Sequence, residues 1–242
     1  LAIGHCRYST TGSSTWNNAQ PTLRATNHGT LALAHNGNLT NTGDLAEQIA
    51  KLTKDNQDSI QATTDTEIMT ALIAAQEGKN FEHSALEVLP KLKGAFSLVF
   101  MDEHTLYAAR DSHGVRPLVI GKLDKGWVIA SESAALDIVG ASFVREVEPG
   151  EFIAIDQDGL RSQRWANATP KGCIFEYVYL ARPDTTIAGQ NVHATRVALG
   201  AQLAIEHPVE ADLVIPVPES GTPAAVGFAR QSGIPYGAGL VK

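Results

Sequence analysis

Five strand-like segments crowd the middle of the chain and limit the folds that it can adopt. Four of them follow one another closely: "AFSLVFM" at 95–101, "TLYAARD" at 105–111, "RPLVIGKL" at 116–123 and "GWVIASES" at 126–133. The fifth is "EFIAIDQDG" at 151–159. Runs of β-branched and aromatic residues bounded by turn residues are typical of strands. Because short connections favour antiparallel pairing, we predict that the four close segments form an antiparallel meander.

Helical patterns precede these strands. "GDLAEQIAKL" at 43–52 has apolar residues at helical spacing, with Thr42 predicted as its N-cap. "DTEIMTALIAAQEG" predicts a second helix that begins at Asp65 and ends at Gly78, and "SALEVLPKL" at 84–92 predicts a third. Helices and strands in separate blocks indicate an α+β fold.

Two further strands are predicted near the start of the chain, "LAIGHCRYS" at 1–9 and "TLALAHNG" at 30–37. The second ends in Asn36–Gly37, and Asn-Gly is a strong signal for a tight hairpin turn. We therefore predict a turn there. Polar residues follow where a hairpin would resume an apolar strand, which leaves a functional role open beside the structural one.

The pattern changes after Gly172. "NVHATRVALGAQLAIE" at 191–206 and "TPAAVGFARQSG" at 222–233 predict helices, whereas "ADLVIPVP" at 211–218 and "IPYGAGLV" at 234–241 predict buried strands. Strand, helix and strand in this order are typical of a parallel sheet. Ligands bind at the carboxyl ends of such strands, so "PESG" at 218–221 is a candidate binding loop. We predict one domain over 1–171 and the beginning of a second over 172–242.

Composition excludes several classes of protein. Of the 242 residues 43% are hydrophobic, which is enough for a sizeable core. The net charge of -7 argues against a nucleic-acid partner, because phosphate binding needs a basic face. No apolar run reaches the roughly 18 residues of a membrane span. The two cysteines, Cys6 and Cys173, give no disulfide framework, so we expect a reducing cytoplasm. Both ends of the chain look cut, as in a fragment.

Taken one at a time, the notable polar residues have ordinary structural explanations. Asp65 before an apolar helix could be an N-cap, which stabilises by about 1 kcal/mol. Arg7 could belong to a surface ion pair of little energetic value. Cys6 could be a small buried residue. The sequence contains neither a zinc-binding spacing nor a P-loop.

In combination, however, these segments resemble the class II glutamine amidotransferases, whose glutaminase domain uses an N-terminal nucleophile. The matching motifs occur in family order: "IGHCRYSTTG", "NAQPT", "LAHNGNLTN", "TDTEIM", "GAFSLVF", "ARDSHGVRPL", "ASESAALD" and "VEPGE". "FEYVYLARPD" at 175–184 and the sequence after it resemble the branch of the family that uses phosphoribosyl pyrophosphate. The resemblance implies a four-layer α/β/β/α glutaminase sandwich, followed by the start of an α/β phosphoribosyltransferase-type parallel sheet.

The resemblance also implies residue roles in the first domain. The Asn36 side chain and the Gly37 N–H would stabilise the negatively charged oxygen of the tetrahedral intermediate during amide hydrolysis. Arg7 would bind the α-carboxylate of glutamine, and Asp65 its α-ammonium group. The family's nucleophile is an N-terminal cysteine whose own amine acts as base. Cys6 does not match it, so we expect this fragment to be inactive.

In the second domain, ammonia channelled from the first site would displace pyrophosphate from phosphoribosyl pyrophosphate. The product, 5-phosphoribosylamine, is the first committed intermediate of purine synthesis. Glu219, Ser220 and Gly221 would bind the pyrophosphate, with the Ser220 hydroxyl near Mg²⁺. Some members use a cysteine at the position of Cys173 to hold a [4Fe–4S] cluster, whereas others keep an inert thiol there. We also predict a homo-oligomer.

Two other functions remain open at this point. The glutaminase domain could serve another acceptor domain, such as a sugar isomerase. Alternatively, the phosphoribosyltransferase-like part could belong to a non-catalytic, nucleotide-sensing regulator.

Overall fold

The computed structural model describes residues 1–7, 15–26, 28–52, 64–76 and 80–241. The strands are β1 (Thr22–Thr26), β2 (Gly29–Leu39), β3 (Gly94–Met101), β4 (Leu106–Arg110), β5 (Val119–Leu123), β6 (Gly126–Ala130), β7 (Ser142–Glu146), β8 (Glu151–Asp156), β9 (Gly159–Arg164), β10 (Thr186–Ile187) and β11 (Gln190–Asn191). The helices are α1 (Thr42–Leu52), α2 (Asp65–Ala74), α3 (Phe81–Val88), α4 (Ser133–Val139), α5 (Val192–Glu206) and α6 (Thr222–Ser232).

The chain divides into two compact units. Unit 1 comprises residues 1–118 and 147–172, and unit 2 comprises residues 119–146 and 173–242. The domain division between residues 171 and 172 stays a prediction. Among the described residues, no helix is both long enough and apolar enough to cross a membrane.

Unit 1 is built on one antiparallel sheet with the strand order β1-β2-β3-β4-β8-β9. One face of this sheet carries the main hydrophobic core, in which aromatic rings of β3, β4 and β8 lie against one another: Phe100, Tyr107 and Phe152. Helix α2 packs on β1 and β2, and helices α1 and α3 pack on α2. Seven of the ten residues of α2 are buried, as expected for a helix enclosed in a core.

The predicted turn at Asn36–Gly37 is wrong. Strand β2 runs straight through both residues, and Asn36 lies opposite Ser97 while Gly37 lies opposite Phe96. Pairing with β3 therefore continues to Leu39 and outweighs the local preference of Asn-Gly for a turn. Glycine is still required, because the φ angle of Gly37 is 137° and an added Cβ would lie 2.0 Å from the Ala95 carbonyl oxygen.

The predicted meander of four strands is also wrong, because β3 and β4 belong to unit 1 whereas β5 and β6 belong to unit 2. The stretch 111–118 that separates β4 from β5 is not a hairpin turn. The Asp111 carboxylate accepts hydrogen bonds from the backbone of His113 and Phe96, and the Arg110 guanidinium donates to the Gly114 and Val147 carbonyls. These buried side chains hold the connection, and β8 pairs with β4 instead.

Unit 2 contains a three-stranded antiparallel sheet with the order β6-β5-β7, and helix α4 packs on it. The two longest helices of this unit, α5 and α6, pack closely against each other. Cβ atoms added at Gly200 and Gly227 would lie 1.9 Å from the Ala224 and Val197 carbonyl oxygens, respectively. The two glycines thus permit backbone-to-backbone contact between the helices.

The predicted parallel sheet of unit 2 is represented by one isolated parallel bridge, between Val214 and Tyr236. The direction of pairing matches the prediction, but the segments at 211–218 and 234–241 are not continuous strands. Leu213 and Ile215 remain exposed, whereas a strand inside a sheet would be covered on both faces. The four-layer sandwich likewise stays a prediction.

The remaining element predictions have mixed outcomes. Helices α1, α2, α3, α5 and α6 occur where the periodicity places them, although Thr42 is the first residue of α1 rather than its cap. Residues 1–7 are not a strand, and residues 8 and 9 lie outside the described residues, as does Gly78. Strands β1, β7, β9, β10 and β11 and helix α4 were not predicted. Strand β9 is a polar edge strand and lacks the apolar alternation that would have revealed it.

Candidate functional site

The candidate site of unit 1 lies where the end of β2 meets the beginning of α2. Thr64 caps this helix, and its side chain accepts a hydrogen bond from the Glu67 N–H. Asp65 therefore occupies the first helical position, beside the positive end of the helix dipole, where a carboxylate is stabilised. The predicted helix start at Asp65 is confirmed.

Backbone donors fix the Asp65 carboxylate. The Leu39 N–H donates to Oδ2 at 3.1 Å, and the Thr66 N–H donates to Oδ1 at 2.9 Å. The His35 Nδ1 atom lies 3.6 Å from Oδ1, which is longer than a normal hydrogen bond but close enough for electrostatic attraction. The Asp65 side chain nevertheless keeps 13% of its surface exposed, so it is not fully enclosed by the protein.

These contacts set the charge of Asp65. Burial acts to raise the pKa of this carboxyl group, but the His35 imidazole and the Leu39 and Thr66 N–H groups outweigh burial and hold the pKa below its ordinary value. Asp65 is therefore a carboxylate at neutral pH. A fixed, partly exposed carboxylate is suited to binding an ammonium group.

His35 is the residue that sequence reasoning missed. Its side chain is only 2% exposed, and its backbone N–H donates to the Gln20 side-chain oxygen at 2.7 Å. The sequence contains no zinc-binding spacing, and no other motif assigns His35 a role. The alternation of β2 contains the missing signal, because residues 31, 33 and 39 on the same face are leucines of the core. A histidine on such a face needs a polar partner, and that partner is Asp65.

Arg7 is partly buried in the segment that contains His5. The pKa of His5 is lowered, first by burial and then by the nearby charges of His35 and Arg7. His5 is therefore close enough to Arg7 and to His35 of β2 for their charges to act on it. Asn36 is half-buried on β2, and Gly37 next to it is exposed.

The β3 residue opposite Gly37 is held by Asp111, the residue that follows β4. The Phe96 N–H donates to the Asp111 carboxylate, and the Phe96 carbonyl accepts from the Asp111 N–H at 2.9 Å. Asp111 thereby fixes the β3 residue that faces Gly37. The "ARDSHGVRPL" segment thus supports β3, the strand that pairs with Asn36 and Gly37 of β2.

The other predicted site residues belong to unit 2. Glu219, Ser220 and Gly221 lie in a turn that leads into α6, and the peptide bond between Pro218 and Glu219 is cis. The Gly221 N–H donates to the Val217 carbonyl at 3.3 Å, so this predicted pyrophosphate donor is engaged within the turn. Gly221, not Ser220, is the N-cap residue of α6. Ser220 therefore does not cap this helix.

Cys173 is partly buried at the beginning of the second stretch of unit 2. A [4Fe–4S] cluster needs several cysteine ligands. Across the described part of the chain, no group of three or more histidine, cysteine, aspartate or glutamate side chains could hold a metal ion. The described residues alone therefore do not fit a cluster.

Comparison with known proteins shows the family to which the chain is related. Residues 5–138 match a family model described as a glutamine amidotransferase domain. The whole chain is 63% identical to amidophosphoribosyltransferase from Mycobacterium tuberculosis and 45% identical to the enzyme of that name from Bacillus subtilis, covering 46% and 50% of those proteins. The chain thus spans about half the length of these relatives.

Solved structures are similar as well. The glutamine phosphoribosylpyrophosphate amidotransferase from B. subtilis, solved with ADP and GMP, superimposes with a TM-score of 0.90 at 44% identity, over 98% of this chain and 51% of that one. A structure described as the allosteric regulatory enzyme of purine biosynthesis gives a TM-score of 0.91 over the same fractions. Because the family model covers more than half of the chain and includes Arg7, Asn36, Gly37 and Asp65, the chain belongs to the glutamine amidotransferase domain family.

Proposed function

We propose that a full-length protein containing this chain is an amidophosphoribosyltransferase. It hydrolyses glutamine at the unit 1 site, passes the ammonia internally to a second site and forms 5-phosphoribosylamine from phosphoribosyl pyrophosphate. The observation that carries this proposal is the extent of the match. The similarity to amidophosphoribosyltransferases continues through residues 139–242, which the glutamine amidotransferase model does not cover. A sugar isomerase acceptor would not explain that similarity.

The electrostatics of unit 1 support binding of the amino acid part of glutamine. Asp65 is a fixed carboxylate that is not fully enclosed, and it pairs with the α-ammonium group in our proposal. Arg7 contributes a guanidinium, which binds a carboxylate through two parallel hydrogen bonds. The opposite charges of the two residues match the two charges of the ligand.

Asn36 and Gly37 are the proposed donors to the oxygen that becomes negative when the amide carbon is attacked. Removing one such donor lowers the rate by about 100-fold to 1000-fold in other hydrolases. The rigidity of β2 at this point supports the role, because donors that are already in position need no reorganisation during the reaction. The nucleophile in the proposal is the N-terminal cysteine of the family, which no residue of this chain matches.

For unit 2 we propose that the turn at Glu219, Ser220 and Gly221 contacts the pyrophosphate of the second substrate together with Mg²⁺. Any further ligands of Mg²⁺, and of a cluster at Cys173, lie outside the described residues in this proposal. Mg²⁺ would neutralise the polyanion, and no step of the reaction is assigned to the cluster. A cytoplasmic location and a homo-oligomeric state complete the proposal.

The deciding experiment compares glutamine with ammonium chloride as nitrogen donor in the full-length protein. Asn36→Ala and Arg7→Ala should lower glutamine-dependent formation of phosphoribosylamine by about 100-fold or more. The activity with ammonium should stay within about twofold, because ammonium bypasses amide hydrolysis.

Matched controls come from the edge strand β9, which is four strands away from β2 in the sheet. Arg161→Ala removes an exposed arginine that pairs with Asp156 and Glu82, and Gln163→Ala removes an exposed amide. Both controls should leave both activities unchanged. Equal loss of the two activities in the Asn36 and Arg7 variants would contradict the proposed glutamine site.

A further inference from the structure

The most unusual buried group in unit 1 is the imidazole of His35. Its side chain is 2% exposed, and its Nε2 atom is fully buried with no hydrogen-bond partner among the described residues. A buried polar atom without a partner has lost its hydrogen bonds to water and gained none in return, which is destabilising. A ring that lies in the glutamine site of the family despite this cost indicates that its other nitrogen has a role there.

That other nitrogen faces Asp65. The Nδ1 atom lies 3.6 Å from Oδ1, and the Nε2 atom points towards Gly37, 2.9 Å from the position that a Cβ would occupy there. The backbone of His35 is fixed as well, by pairing with Leu98 and by the Gln20 side chain. The backbone of His35 is therefore held in place next to Asp65. Of the two side chains, that of Asp65 is the more exposed.

We propose that His35 is a positioning residue for the glutamine site, which holds the Asp65 carboxylate in the direction that receives the α-ammonium group. This inference rests on the proposed function, because it assigns the ammonium group of glutamine to Asp65. The Leu39 and Thr66 N–H groups hold the carboxylate from the backbone. His35 is the side chain that restrains Oδ1 from the core. It does not touch the substrate itself.

Two substitutions distinguish the roles of the two nitrogens of the His35 ring. The amide nitrogen of asparagine reaches approximately the position of Nδ1, whereas that of glutamine reaches the position of Nε2. In the full-length protein, His35→Gln should therefore raise the KM for glutamine about 10-fold, as expected for loss of an interaction with a charged group. The kcat should change far less, and His35→Asn should keep a KM within about threefold of the wild type.

The measurement is ammonia release from glutamine, together with phosphoribosylamine formation from ammonium chloride as a test of folding. A second variant pair tests whether His35 acts through Asp65. Adding His35→Gln to Asp65→Asn should change the KM by less than about twofold relative to Asp65→Asn alone, because the two residues act as one unit.

An unchanged KM in His35→Gln would overturn the proposal, and so would an additive effect in the Asp65→Asn background. If His35→Gln also lowers the ammonium activity, this variant is misfolded, and His35→Asn becomes the test. A KM of His35→Asn near the wild-type value supports positioning through Nδ1. A 10-fold increase of that KM overturns the proposal. Failure of the proposed function looks different, because the wild type would then release no ammonia from glutamine.

Discussion

At the scale of single residues, Asp65 shows how a chain can hold a charge ready for a ligand. Two N–H groups and one imidazole approach its oxygens, and a carboxylate offers about four acceptor positions. Acceptor capacity therefore remains for an ammonium group. Asp65 is also the first residue of α2, which contributes buried residues to the core of unit 1. Packing of that core therefore helps to fix the position of the carboxylate.

The lowered pKa of Asp65 predicts a pH-dependent contribution to stability. A carboxyl group whose pKa is lower in the folded state stabilises the fold above its unfolded pKa of about 3.9, and this contribution is lost as the pH falls through the folded pKa. Asp65→Asn should therefore lower the free energy of unfolding at pH 7. The difference from the wild type should shrink as the pH falls below about 4.

Urea denaturation of the full-length protein at several pH values measures this effect. Thr64→Ala is the matched control, because it removes the adjacent helix cap, worth about 1 kcal/mol, without removing a charge. The effect of Thr64→Ala should stay constant with pH. A constant effect for Asp65→Asn as well would show that its carboxylate is not stabilised by the fold.

The sequence allowed Asp65 to be placed correctly, since a helix start can be predicted from local periodicity and capping residues. The alternation of β2 marks His35 as a buried polar residue, but its partner could not be assigned from local pattern, because the contact spans 30 positions of the chain. Whether Arg7, Asn36 and Gly37 bind glutamine stays a prediction. Their roles came from family resemblance, and spacing alone does not specify them.

At the scale of elements, the close packing of α5 and α6 reverses the usual effect of replacing a helical glycine by alanine. Replacing glycine by alanine inside a helix usually stabilises by about 1 kcal/mol. Gly227→Ala should instead destabilise unit 2 by about 1–3 kcal/mol, because the new Cβ would lie 1.9 Å from the Val197 carbonyl oxygen and 3.1 Å from the Ala201 nitrogen.

The midpoint of urea denaturation tests this sign. Gln231→Ala on the exposed surface of the same helix is the control, and its effect should be within about 0.5 kcal/mol. An increase in stability for Gly227→Ala would mean that the two helices are farther apart than described.

The elements themselves were predicted unevenly, and for physical reasons. Helices with an apolar stripe, such as α1 and α5, were found because their periodicity is local. Strand β2 was cut short at Asn36–Gly37, since the pairing with β3 that extends it involves residues about 60 positions away. The meander failed for the same reason, because the partner of β4 is β8 and not β5.

At the scale of the whole molecule, the proposed function requires two sites whose chemistry can be separated. Ser220→Ala should weaken binding of phosphoribosyl pyrophosphate about 10-fold to 100-fold in the full-length protein, as expected for a lost contact to a charged group. Glutamine hydrolysis should be unchanged. The melting temperature should also be unchanged, because Gly221, not Ser220, caps α6.

Titration with phosphoribosyl pyrophosphate at a fixed Mg²⁺ concentration measures the binding. Ser232→Ala, at the other end of the same helix, is the matched control and should bind as the wild type does. An unchanged dissociation constant for Ser220→Ala would remove Ser220 from the proposed site.

Large-scale organisation was the hardest to predict. The change of pattern after Gly172 was visible, but residues 119–146 belong to the same compact unit as residues 173–242, and nothing in their local sequence indicates this. Extended apolar segments such as "ADLVIPVP" indicated a parallel sheet, and the one bridge at Val214 has the predicted direction. Continuous strands require neighbours, which local sequence does not specify.

The hydrogen bond from Leu39 to Asp65 gives the protein a built-in reporter. An amide proton held by a carboxylate exchanges with deuterium only when that contact opens. Leu39 is the last residue of β2, so the exchange rate of its amide measures how often the strand and the beginning of α2 separate. A ligand that binds Asp65 and holds it in place should slow this exchange. The exchange rate of the Leu39 amide then measures how much of the site is occupied, and the ligand needs no label.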